Sequence, residues 1–326
     1  MKIVFFGTPF FSAYVLEKLQ YSFEVLAAVC PPEKVSGRGR KIKACAVKQK
    51  AEELGITVFQ PKNLKDSDFI NQIRNLEADL FIVVAFRMLP QELWKIPQQG
   101  SVNLHTSLLP NYRGAAPINW AIINGEKQTG ISTFFINEKI DEGNIIMQEK
   151  IELDKNITTA QLHNIMMKKG ADLLLESIQN IEKNALNPLI QQIRETDKKA
   201  PKIERDFLKI DWSNSAVEIH NLIRGLSPIL EDDSLLKDVA ICPSAWFYLL
   251  VENNKKIRVK LLLSDLENIS HTLESNSILT DNKSHLKIAV KDGFVNILKL
   301  QMEGKKAMDI KNFLAGFQFK DTFTVC

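Results

Sequence analysis

The chain runs to 326 residues, long for one compact core and natural for two domains. With 45% hydrophobic and 25% charged residues it has the composition of a globular chain, which argues against a disordered or fibrous one. A net charge of +3 is too small to establish a polyanionic partner, so the placement of the basic residues matters more than their total.

The first element expected is a buried strand, "KIVFFG", ending at Gly7. No signal-peptide cleavage region follows the opening MKIVFFGTP, and no apolar run reaches membrane-spanning length. A cytoplasmic protein without membrane contact is therefore expected; separately, a monomer is expected. "FSAYVLEKLQ" repeats apolar residues at helical spacing, and "FEVLAAVC" is a second strand stopped by Pro31 and Pro32. "ACAVKQKAEELG" predicts a helix with Gly55 as its stop. "DLFIVVAF" is a near-continuous apolar strand, the pattern of burial on both faces, and "GSVNLH" is another strand. "TGISTFFI" and "NIIMQEKIEL" continue the sheet, and a long amphipathic helix starts at Thr159 and carries Leu162, Met166, Leu173, Ile178 and Ile181. Strands alternating with helices predict an α/β, Rossmann-like parallel sheet.

The pattern then changes. Residues 187–206 lose periodicity and gain charge, as a linker would. One helix, about Ser215 to Leu226, precedes the short alternating strands "KIRVKLLL", "HLKIAVKDGFVNILKL" and "FTV". Asp292-Gly293 marks a hairpin. The expected organisation is a catalytic domain over 1–186, a linker over 187–206, and an OB-like β-barrel over 207–326.

Two nucleotide motifs fail on inspection. "GTP" at 7–9 lacks the context of a P-loop, and Gly37-Arg38-Gly39 lacks the third glycine of a dinucleotide fingerprint. Cys30, Cys45, Cys242 and Cys326 form no C-x-x-C pair and match no zinc spacing, so free thiols and no metal are expected.

Asn103 and His105 are a different matter. They are two apart on a strand, so they share a face, and they end that strand where open α/β sheets put their ligands. Asp141 follows a later strand. An amide that donates to a carbonyl oxygen, an imidazole and a carboxylate that takes a proton suit acyl transfer to an amine. The bland alternative is a hydrogen-bonded pair that only holds a loop. Arg38, Arg40 and Lys41 crowd a glycine-containing segment at the same sheet edge, the composition of a phosphate-gripping loop or of a solvated charge run. "NNKKIRVK" at 253–260 and Lys305-Lys306 add basic residues to the second domain.

The segment "NLHTSLLPNYRGAAPINWAIINGEKQTGISTFFINEKIDEGNII" resembles the formyltransferase motif of the methionyl-tRNA formyltransferases. "IVFFGTPFFS", "SGRGRKIK", "IDWS" at 210–213 and "GKKAM" at 304–308 extend the resemblance over the whole chain. It implies 10-formyltetrahydrofolate as donor and initiator methionyl-tRNA as acceptor in translation initiation. By the same resemblance Asn103, His105 and Asp141 are catalytic, Ser107, Leu108, Leu109 and Pro110 line the folate, and residues 85–90 cover the pterin. Arg38, with Arg40 and Lys41, would reach the tRNA. Where the family usually has Asp-Thr-Gly, this chain reads Asp141-Glu142-Gly143. The alternatives are a formyltransferase acting on an amino sugar or a purine precursor, and a non-catalytic nucleic-acid-binding protein.

Overall fold

The computed structural model describes residues 1–36, 41–236, 240–320 and 322–326. In chain order the first part holds β1 (Lys2–Gly7), α1 (Phe10–Gln20), β2 (Glu24–Val29), β3 (Lys34–Ser36), β4 (Lys41–Lys43), α2 (Ala46–Glu53) and β5 (Thr57–Phe59). Next come α3 (Ser67–Arg74), β6 (Leu80–Val84), α4 (Gln91–Trp94), β7 (Ser101–His105), β8 (Arg113–Gly114) and α5 (Pro117–Ile123). They are followed by β9 (Gln128–Phe135), β10 (Ile145–Glu152), α6 (Thr159–Glu182) and β11 (Lys199–Ala200). The remainder holds α7 (Ala216–Gly225), β12 (Ala245–Val251), β13 (Lys255–Glu267), β14 (Ile278–Thr280), β15 (Leu286–Val290), β16 (Gly293–Met302), β17 (Met308–Asp309), α8 (Ile310–Leu314) and β18 (Thr324–Val325).

The chain divides into two compact units. The first comprises residues 1–114, 129–151 and 164–199, and the second 115–128, 152–163 and 200–326. The first unit is built on a seven-stranded sheet in the order β10-β9-β7-β6-β1-β2-β5. Strands β5, β2, β1, β6 and β7 run parallel, and β9 pairs antiparallel with β7, so one edge departs from the all-parallel expectation. The apolar runs of β1 and β6 follow from this placement. Val4, Phe6, Phe81 and Val83 join one buried cluster with Phe69 and Ile73 of α3. Ile3, Phe5, Leu80 and Ile82, which alternate with them, are buried as well, so both faces of the sheet are covered. Helix α3 starts at Asp66, whose carboxylate accepts the Phe69 N–H at 3.0 Å.

The second unit carries the antiparallel barrel strands in the order β14-β15-β16-β13-β12-β18. Its core joins Trp212, Ile219 and Ile223 to Phe247, Leu249, Val259, Leu261 and Ile297. Helix α7 begins in a capping box. Ser215 Oγ accepts the Glu218 N–H, and the Glu218 carboxylate accepts the Ser215 N–H at 2.9 Å. The hairpin expected at Asp292-Gly293 joins β15 to β16, with Val290 opposite Gly293. A side chain at Gly293 would meet the Glu267 carbonyl oxygen at 2.1 Å, so only glycine fits there.

Candidate functional site

Asn103 and His105 lie on one face at the carboxyl end of β7. Asn103 is flanked by Val83 of β6 and Phe134 of β9, and His105 stands opposite Ser132. The Asn103 side chain is half-buried and its carboxamide has no hydrogen-bond partner among the described residues. His105 is buried, and its Nε2 lies 2.9 Å from the Tyr112 carbonyl oxygen. A carbonyl only accepts, so Nε2 carries a hydrogen. Nδ1 then faces Asp141 Oδ2 at 3.9 Å, the reach of an ion pair or of one bridging water.

Asp141 is held by its own loop. Its φ is 56°, and Oδ2 accepts the Gly114 N–H at 3.1 Å. Two residues on, Gly143 passes so close to β9 that a Cβ there would lie 1.6 Å from the Phe135 carbonyl oxygen. The loop's free carbonyls are gathered by one buried side chain. Gln191 Nε2 donates to the Asp141 carbonyl at 3.0 Å and to the Gly143 carbonyl at 2.7 Å. Glu142 turns away from Asp141. Its carboxylate pairs with Arg113 at 2.5 Å and with Lys139 at 3.7 Å, and Arg113 also reaches Asp197 at 3.9 Å. Residues 187–199, which read as connecting chain, thus supply Gln191 and Asp197 to this site. No periodicity announced them, because their role is set by tertiary contacts alone.

The turn at 107–110 satisfies its own polar groups. Ser107 Oγ donates to the Asn111 carbonyl at 2.6 Å, and Ser132 Oγ donates to the Ser107 carbonyl at 2.6 Å. The Leu109 N–H donates to Ser132 Oγ at 3.1 Å, and Gln148 Nε2 donates to the Leu109 carbonyl at 3.0 Å. Leu109 packs with Phe134 and Ile145, and the side chain of Leu108 fills the space over Gly130. With its hydrogen bonds turned inward, the turn is a fixed wall rather than a polar ligand. The Leu109–Pro110 peptide bond is cis.

A cleft of about 700 Å³ opens at the carboxyl ends of β1, β2 and β6. Thr8, Pro31, Pro32, Lys62, Phe86 and Arg87 line it, while Asn103 and His105 stand on the next strand over. Arg87 donates to the Pro61 and Lys62 carbonyls at 2.5 and 3.1 Å, which fixes the segment following β6 to the one following β5. Burial lowers the pKa of its guanidinium. Of the expected tRNA-contacting residues, Arg38 and Arg40 lie outside the described residues. Lys41 falls in β4, with its side chain outside the described ones.

The second unit presents a surface of its own. Along β12, Trp246, Tyr248 and Leu250 alternate with buried Ala245, Phe247 and Leu249. Their partners across the ladder are Lys260, Arg258 and Lys256. Arg258 stacks 4.3 Å from the Trp246 ring, and Lys256 lies 5.7 Å from the Tyr248 ring. Burial first, and then Arg258, lowers the pKa of Lys260. The basic half of this strip was visible in "NNKKIRVK". Its aromatic half needed the register. Lys305 and Lys306 are also exposed. Among the described residues no group of three or more His, Cys, Asp or Glu is arranged to hold a metal, and no helix is long and apolar enough to cross a membrane.

Two family models match the chain: Formyl transferase over residues 1–178, and Formyl transferase, C-terminal domain over 202–318. The methionyl-tRNA formyltransferase of Flavobacterium johnsoniae is 41% identical over 98% of each chain. That of Bacteroides thetaiotaomicron is 38% identical over 99% of this chain and 98% of its own. Among solved structures, the N-formyltransferase of Helicobacter canadensis, in complex with folinic acid and dTDP-3-aminofucose, superposes with a TM-score of 0.61. It is 22% identical and covers 91% of this chain and 98% of its own, a likeness of fold.

Proposed function

Because the chain belongs to the methionyl-tRNA formyltransferases, we propose that it transfers a formyl group from 10-formyltetrahydrofolate to the amino group of initiator methionyl-tRNA. It does so in the cytoplasm, as a monomer, at the start of translation. The observation that carries this reading is the full-length identity to relatives bearing that name, in both catalytic and C-terminal parts. In this reading residues 1–186 are the catalytic part and 207–326 the part that meets tRNA, while 187–206, the expected connection, also lends Gln191 and Asp197 to the catalytic site.

The residues at the end of β7 fit a formyl donor. Asn103 offers an amide N–H with no acceptor among the described residues, and the 107–110 turn offers a stiff wall with its polar groups already paired. The donor supplies the activated formyl carbon. Asn103 donates to the formyl oxygen as negative charge grows there. His105 is oriented by Tyr112 through Nε2, so its proton traffic runs through Nδ1 toward Asp141. Asp141, which faces Nδ1, takes the proton that the attacking amine gives up, directly or through water. Ser107, Leu108, Leu109 and Pro110 hold the folate against Asn103, which saves the entropy of orienting it at each turnover.

On the acceptor side, Arg38, Arg40 and Lys41 grip phosphates near the acceptor end. The Trp246–Tyr248 strip with Lys256, Arg258 and Lys260 offers stacking faces and cations for RNA. The test is donor-dependent formylation of charged initiator tRNA beside free sugar amines. Formyl-methionyl-tRNA as the product is expected. A sugar amine formylated in its place would overturn the acceptor.

A further inference from the structure

We propose that Arg113 is a positioning residue that aims His105 and Asp141 together, by clamping residues 112–114, the short piece of backbone on which both of them lean. This rests on the reading of His105 and Asp141 as groups that face formyl transfer, and it adds a residue that acts on them through the backbone. Three successive residues make three different contacts. The Tyr112 carbonyl accepts from His105 Nε2 at 2.9 Å. The Gly114 N–H donates to Asp141 Oδ2 at 3.1 Å, and that same oxygen faces His105 Nδ1 at 3.9 Å. Between them the Arg113 guanidinium pairs with Glu142, the residue after Asp141, and reaches Asp197 at 3.9 Å. A closed circuit results: from His105 to Tyr112, along the chain to Gly114, across to Asp141 and back to His105.

The backbone of this circuit is not relaxed. Tyr112 holds a φ of 60° and Asp141 a φ of 56°. Left-handed backbone at residues other than glycine persists only where the surroundings over-determine it. One set of restraints is local to Tyr112. Its ring is buried, its N–H donates to the Lys198 carbonyl at 2.5 Å, and the Lys198 N–H donates to Asn111 Oδ1 at 3.1 Å. The other set is the Arg113 side chain, which ties residue 113 to the loop that carries Asp141.

The chemistry of the clamp calls for an arginine. The side chains of Arg113 and Asp197 are only 12% and 9% exposed, so water screens them little. Asp197 is itself fixed, its Oδ2 accepting the Arg194 N–H at 2.8 Å. The two carboxylates meet different ends of the guanidinium, Glu142 at Nη1 and Asp197 at Nη2, and a planar fork serves both where a single ammonium serves one. Arg113 Nε is buried without a partner among the described residues. An unpaired buried donor costs stability, a cost that an apolar side chain at this position would avoid. The arginine is thus better explained by what it holds in place than by stability alone.

The test compares full-length wild type with Arg113→Ala, Arg113→Lys, Glu142→Ala and the double variant Arg113→Ala/Glu142→Ala. Arg113→Ala should lower kcat about 30-fold, leave KM for the donor within about two-fold, and displace the pH profile of kcat. Arg113→Lys, which keeps one charge in place should the alanine variant not fold, should regain part of the rate and stay about five-fold below wild type. The double variant should lose far less than the product of the two single losses, because both substitutions open the same clamp. A second readout needs no acceptor. In protein isotope-labelled at the histidine nitrogens, the imidazole resonances that vanish in His105→Gln should shift in Arg113→Lys, while those of His271 and His285 stay. Wild-type kcat and pH profile in Arg113→Lys, a loss confined to KM or to the urea midpoint, losses that multiply, or unmoved His105 resonances would each overturn the proposal. Absence of formyl transfer in the wild type would instead overturn the proposed function, so the two fail separately.

Discussion

At the scale of residues, the site divides into groups that face the reaction and groups that aim them. Asn103, His105 and Asp141 are expected to face it. Replacing any one by alanine should lower the single-turnover rate about 100-fold or more. Near-normal rates in folded His105→Ala and Asp141→Ala proteins would remove them from the chemistry. Gln191 is expected to aim. Its amide bonds the carbonyls of Asp141 and Gly143, so it acts on the carboxylate through the backbone that carries it. Gln191→Ala should lower kcat about ten-fold with KM for the donor little changed, and should alter the pH profile of kcat, because Asp141 loses its position against His105. A risen KM with an unchanged kcat and pH profile would reduce Gln191 to a structural role. Glu142 illustrates how a departure from a family pattern is absorbed. The extra carboxylate beside Asp141 turns to Arg113, so its charge is paired off rather than added to the site.

At the scale of elements, helix α7 is closed at its start by Ser215 and Glu218. Ser215→Ala should cost about 1 kcal/mol, read as a shift in the urea midpoint at an unchanged slope. The bonds from Ser215 also lower the pKa of Glu218 below its ordinary carboxylate value. A depressed folded value means that this contribution is fully present above the ordinary value and is lost as the pH falls through the lowered one. The stability gap between wild type and Glu218→Gln should therefore be widest near neutrality and close in acid. A gap that does not change with pH would contradict this. Elements of this kind were legible in the sequence because their cause is local. Gly55, Asp292-Gly293 and the continuous apolar runs of β1 and β6 each announce a physical constraint. The short hairpin β3–β4 and the antiparallel placement of β9 did not, since strand direction depends on how the chain returns rather than on which residues alternate. Within the site, Asn103, His105 and Asp141 could be read from types and spacing. Gln191 could not, because a glutamine in a charged, aperiodic stretch carries no signal until the loop it bonds is folded.

At the scale of the whole molecule, the cations proposed to meet RNA come from both units: Arg38 and Lys41 in the first, Lys256, Arg258 and Lys260 in the second. Affinity that rests on phosphates falls as salt rises, through release of counterions. Arg38→Gln and Lys256→Gln should each flatten the logarithmic salt dependence of tRNA affinity by about one unit, and together by about two, while folate affinity stays constant. Slopes that do not move would return both surfaces to solvated charge.

The interleaving of the two units bears on how the protein is made. A ribosome that has delivered residues 1–199 has delivered every residue of the first unit, and also the helix α5, which belongs to the second. Asn119 of that helix bonds the Gly225 carbonyl at 2.8 Å, and Ile123 packs on Gly225 so closely that a Cβ there would lie 2.5 Å away. Until residue 225 emerges, α5 is an apolar segment with its partners still unsynthesised, the condition in which nascent chains are held by chaperones. The residues of the first unit are thus all delivered early, whereas the second unit can close around α5 only once residues 200–326 have followed.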